Sequence, residues 1–165
     1  MPYDATIKQE ASFVSNLSLT EATEDKFHAT YSGILAHWFP PSLSYLIEPQ
    51  VRGEEGKPEF IVVRHGGGYR SPLLIVELKR VSKWNDAGRK AVRRELTLHL
   101  EGRFDLTRYN TIYGLGGIGF HWMVCKMEKS GSGSPVDVEP WRDDIVSDAS
   151  YNRFEEIADL IYNIS

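Results

Sequence analysis

The residues best suited to chemistry stand at the end of one apolar run, Pro72-Leu73-Leu74-Ile75-Val76-Glu77-Leu78-Lys79-Arg80. Side chains alternate across a strand, so Leu74, Val76 and Leu78 share one face and Leu73, Ile75, Glu77 and Lys79 the other. A carboxylate and an ammonium on a strand that otherwise wants burial are costly unless they are paired or put to work. Glu77 and Lys79 therefore belong either to an edge strand that reaches water or to a site. Just beyond them the charge is lopsided. Between Lys79 and Arg94 seven basic residues, Lys79, Arg80, Lys83, Arg89, Lys90, Arg93 and Arg94, stand against one acid, Asp86. The whole chain carries a formal charge of −4, which argues against nonspecific coating of nucleic acid. A basic segment on an acidic body points to a local anionic partner, unless it is simply a solvated face.

The elements that must position these residues follow from periodicity. Residues 1–17 give weak signals and are expected to form a loosely packed arm or short strand. Ser18 and Glu21 have capping-box spacing, and Phe27, Tyr31, Ile34, Leu35 and Trp38 recur at helical intervals until Pro40-Pro41. Glu24 lies at the edge of that stripe, where a solvated first-turn acid would also be favoured by the helix dipole. Strands are predicted over Ser44–Arg52 and Pro58–Val63, separated by a turn at 53–57, with Glu59, Ile61 and Val63 on one face of the second. Gly66-Gly67-Gly68 turns into the strand that bears Glu77. A helix is expected from Asn85 to about Phe104, with Val92, Leu96, Leu100 and Phe104 inward. Lys90 and Arg94 point away from that stripe, and Arg89 and Arg93 border it.

One further strand is read over Ile112–Met127. Gly114, Gly116 and Gly119 within it formally match the dinucleotide fingerprint, but a strand follows where a helix N-terminus is needed. Residues 129–135 read as a surface loop, and a last helix begins near Ala149. The composition suits one domain spanning residues 1–165, with no run apolar enough to span a bilayer and no signal-peptide pattern at its start. The single Cys125 excludes an internal disulfide and fits a reducing, intracellular compartment, cytoplasm or nucleus. The five histidines are too scattered for a structural zinc site.

The predicted order is helix, three strands, helix, strand, helix. With these motifs it resembles the PD-(D/E)xK nuclease superfamily, particularly its small stand-alone members. Pro58-Glu59 resembles the first half of the signature and Glu77-Leu78-Lys79 the second. Glu95-Leu96-Thr97-Leu98-His99 stands where many members carry Gln-Leu-x-x-Tyr. The glycine-rich run from Tyr113 to Trp122 resembles their fourth strand. The resemblance covers roughly residues 20–127, leaving a C-terminal loop and helix over 128–165. It differs in having Glu59 where aspartate is usual and Glu95 where glutamine is.

The resemblance implies an α/β, restriction endonuclease-like αβββαβ core. Its central mixed sheet would have about four strands flanked by helices, with an extra C-terminal helix. It also implies a metal-dependent nuclease, acting on DNA before RNA, with Mg²⁺ or Mn²⁺. Glu59, Glu77 and the Leu78 carbonyl would hold the metal, and Glu24 (or Glu21) would add an acid from the first helix. Lys79 would orient water or stabilise charge on phosphorus. Lys83, Arg89, Lys90, Arg93 and Arg94 would hold phosphates. The rival expectation is a catalytically inactive binding module on the same fold. A nucleotide-binding role for the glycine run comes last.

Overall fold

A computed structural model describes residues 2–50, 57–131 and 133–165. The predicted turn at 53–57 falls outside these residues, apart from Lys57. The architecture is α/β: one six-stranded mixed sheet, ordered β1 to β6 in sequence, with helices on both faces. Its strands are β1 (Tyr45–Pro49), β2 (Phe60–Gly66), β3 (Tyr69–Lys79), β4 (Thr111–Ile118), β5 (His121–Glu128) and β6 (Val136–Arg142). All neighbours are antiparallel except β3 and β4, which run parallel because α3 (Asp86–Arg103) crosses over between them. That crossover is what a parallel pair requires.

Two cores follow from the alternation of the strands. On one face Leu74, Val76 and Leu78 of β3 pack with α1 (Ala5–Ser15), α2 (His28–Trp38) and α4 (Asp148–Ile164). On the other, Ile75 packs with Val92, Leu96 and Leu100 of α3. Leu73 departs from the expected alternation and joins the first core, because the β2–β3 register slips where Val62 pairs with Leu74 and Val63 with Pro72. The extra residue of such a bulge leaves the ladder and re-aims its side chain.

Several expectations need correction. The sheet has six strands, not about four. The run over Ile112–Met127 is a hairpin: Gly119, at φ 59°, turns β4 back into β5, and Thr111 pairs with Glu128. Gly116 and Gly117 instead admit neighbours, since a Cβ at Gly117 would lie 2.5 Å from the Tyr31 hydroxyl. β6 was hidden because charged residues and a proline fill it. Besides its ladder with β5 and the packing of Val138 and Trp141, it is held by ions, with Arg93 clamping Asp137 through two hydrogen bonds of 2.6 and 2.8 Å and Arg153 reaching Glu139.

The amino-terminal arm is also helical. Asp4 caps α1 by accepting from Thr6 N at 2.7 Å, and Ala11 and Val14 are buried. The predicted first helix is broken into three parts. Glu21 does accept from Ser18 N at 3.0 Å, but that box closes only a turn. Thr23 is extended (φ −70°, ψ 164°), a 3₁₀ turn follows at Glu24–Phe27, and only then does α2 begin. Among the described residues no helix is long and apolar enough to cross a membrane.

Candidate active site

At the carboxyl end of β3 the chain brings four glutamates, two histidines and one lysine together. β3 supplies Glu77 and Lys79, and the parallel strand β4 runs alongside, pairing Glu77 with Gly116 and Lys79 with Ile118. Glu59 precedes β2. Its N–H donates to Val76 O at 2.9 Å although Val76 already pairs with Phe60, so simple alternation does not extend to Glu59. Glu24 comes from the 3₁₀ turn before α2, and Glu95 and His99 come from α3.

The side chains form two linked groups. On the α3 side Glu77, only 3% exposed, accepts from Lys79 at 2.9 Å and contacts His99 Nε2 at 3.2 Å. Lys79 also reaches Glu95 at 2.7 Å, so one ammonium lies between two carboxylates. On the α2 side Glu59 pairs with His28 at 2.9 Å, and Glu24 stands near enough for the two carboxyls to alter one another's proton affinity. The groups feel one another, for the charges of Glu77 and Lys79 both act on Glu24.

Proton affinities follow from this arrangement. Burial, then the hydrogen bond and charge of Glu59, push Glu24 up to about 7. Burial pushes Glu59 up as well, but hydrogen bonds with His28 and Glu24 outweigh it and hold Glu59 below the usual range. Glu77 is raised, chiefly by burial, although its bonds to His99 and Lys79 oppose the shift. Burial also works against charge on Glu95, but hydrogen bonds with Glu77 and Lys79 hold it low. Lys79 is raised: Glu95 and Glu77 outweigh the desolvation that would lower it. Its ammonium is therefore a fixed cation. The acids, in contrast, cannot all be ionised at once without a counter-charge.

Beside these groups lies an open cleft of about 490 Å³ lined by Glu24, Lys79, Arg80, Lys83, Gly88 and Glu95. Of the five basic residues expected to hold phosphate, only Lys83 lines it. Arg89 pairs with Asp86 and lies 4.7 Å from the Trp84 ring, and Arg93 is committed to Asp137. Lys90 and Arg94 are exposed on α3. Glu21 is spent on the Ser18 turn.

No protein-family model, curated protein or solved structure matches this chain. Glu24, Glu59, Glu77 and the Leu78 carbonyl are hard oxygen donors of the kind Mg²⁺ and Mn²⁺ prefer. Among the described residues, however, no three His, Cys, Asp or Glu side chains are arranged to hold an ion. Glu59 turns to α2 and Glu77 to α3, and their oxygens are engaged by His28, His99 and Lys79. The donors suit a hard cation by type, and they are not assembled into one shell.

The sequence reading did not assign a role to His28, His99 or Arg80. A signal for the histidines was present. Glu24 and His28, like Glu95 and His99, are four residues apart, the spacing that puts two side chains on one helical face.

Proposed function

We propose that the protein is a divalent-metal-dependent nuclease of the PD-(D/E)xK kind, hydrolysing phosphodiester bonds in nucleic acid, DNA before RNA. The observation that carries this reading is the gathering of Glu24, Glu95, Lys79, Arg80 and Lys83 in one charged cleft, with Glu77 buried beside Lys79 at 2.9 Å. Like charges are rarely gathered and half-buried without a function that uses them. The element order from α2 through β4, helix, three strands, helix and strand, supports the same reading.

Binding Mg²⁺ or Mn²⁺ would require Glu24, Glu59 and Glu77 to leave their present partners and draw into one shell with the Leu78 carbonyl, and a metal held there would supply charge neutralisation at phosphorus and an activated water. Lys79, kept protonated by Glu77 and Glu95, donates hydrogen bonds to a phosphate oxygen and stabilises the charge that builds there. It acts as a fixed donor, not as a base. His28 and His99 orient Glu59 and Glu77, as partners of ligating carboxylates commonly do. Arg80 and Lys83 hold the flanking phosphates.

The test is incubation with DNA and RNA substrates in Mg²⁺, Mn²⁺ or EDTA. Cleavage that EDTA abolishes is expected, and Glu77→Ala or Lys79→Ala should reduce it at least about a hundredfold. The second reading is a nuclease-fold module that binds without cutting. It is favoured by the Glu77–Lys79–Glu95 ion cluster, which occupies the groups that chemistry would need. A wild-type protein that binds nucleic acid in both metals but cleaves none of it would decide for that module.

A further inference from the structure

The short strap between β3 and α3, Arg80 followed by the 3₁₀ turn Val81–Lys83, separates two unlike cavities. Arg80 and Lys83 line the charged cleft. Val81, between them in sequence, lines a pocket of about 260 Å³ on the other side, with Leu17, Ala22, Phe27, Phe120 and His121. The lining is mostly aliphatic, with the rings of Phe27, Phe120 and His121 braced along one part of it. Phe27 and Phe120 meet edge to face with centroids 5.0 Å apart. His121 is stacked flat on Trp84, 3.7 Å between centroids and 5° between planes. Leu19, also part of the lining, is left 67% exposed.

A nucleotide has the same division, with an anionic phosphate on one side of the sugar and a flat, largely apolar base on the other. We propose that this pocket receives one unpaired nucleobase of a strand whose phosphates lie in the adjoining cleft. The preferred substrate is therefore single-stranded, or carries a flap, mismatch or end at which a base is free. Binding a base from within a continuous duplex requires unpairing and unstacking it, whereas an unpaired base enters without that cost. A largely apolar lining with a few rings contacts base faces and not base edges, so the pocket selects strandedness and not sequence. This inference rests on the nucleic-acid reading above.

The experiment uses wild-type protein with Ca²⁺ in place of Mg²⁺, and fluorescently labelled single-stranded DNA carrying one abasic position moved along the strand. One position is expected at which losing the base weakens binding about tenfold, with little effect elsewhere. Continuous duplex should bind more weakly than single strand by at least a similar factor. A 2-aminopurine at the sensitive position should change its fluorescence on binding, and Leu19→Ala, at an exposed position, should reduce that change. A flat abasic scan, or equal affinity for duplex and single strand, overturns the pocket while leaving the nuclease reading intact. No binding to any nucleic acid overturns both.

Discussion

Burial and the neighbouring carboxyl of Glu59 oppose charge on Glu24, and the effect on stability has a sign. The Glu24 carboxyl is pushed up to about 7 from an ordinary 4.5. A folded-state pKa above the unfolded one contributes stability that is complete below about 4.5 and lost as pH rises through about 7. Between those limits the metal-free protein should lose about 1–2 kcal/mol through this group, the full shift being discounted because Glu24 is only half buried. Urea melts in EDTA at pH 5 and pH 8 measure it. Glu24→Gln should be less sensitive to pH than wild type across this window, with the largest gain in relative stability at pH 8. Identical pH profiles for the two proteins would show that the two carboxyls do not stand close in solution. Lys79 and Glu77 were legible as a pair because alternation holds along β3 from Leu74 to Lys79, beyond the bulge at Leu73. The histidine partners of Glu59 and Glu77 were not, because alternation fails at Glu59, and the contacts with His28 and His99 depend on how two helices dock.

At the scale of elements, the strap depends on one glycine. Gly88 sits in the first turn of α3, where glycine ordinarily weakens a helix by about 1 kcal/mol. Here a Cβ would lie 1.8 Å from the Lys83 carbonyl oxygen, a backbone atom that cannot swing away. Asn85 caps the same turn, accepting from Gly88 N at 2.9 Å. Gly88→Ala should displace the strap and with it Arg80 and Lys83, costing about 1–3 kcal/mol in stability and most of the affinity for nucleic acid. Gly102→Ala is the control, because nothing lies within 4 Å of a Cβ there. If both variants bind alike, the strap is not the phosphate-holding element. The long helix α3 was visible in sequence from its apolar stripe and its asparagine cap. α1 was not, since few of its residues are buried, and β6 was not, since its alternation of Val136 and Val138 with Asp137 and Glu139 is short and Pro140 breaks it.

The molecule as a whole is acidic, so its attraction to a polyanion must be local. The basic segment from Lys79 to Arg94 was plain in the sequence, but its division of labour was not. It depends on tertiary partners: Asp137 lies 44 positions from Arg93 and claims it for the fold. Arg80 and Lys83 instead open into the cleft beside Lys79. Salt separates these roles, because each phosphate neutralised releases condensed counterions, about 0.7 per contact on a single strand. The double variant Arg80→Gln with Lys83→Gln should therefore flatten the log–log dependence of affinity on salt by about 1.4 and weaken binding alike across sequences. Arg93→Gln should leave that slope unchanged. It should lower thermal stability instead, by up to about 1 kcal/mol, as expected for an exposed but bidentate pair that ties α3 to the outermost strand. The reverse pattern, with Arg93 setting the slope and the strap residues setting stability, would move the nucleic-acid path from the cleft to the outer face of α3.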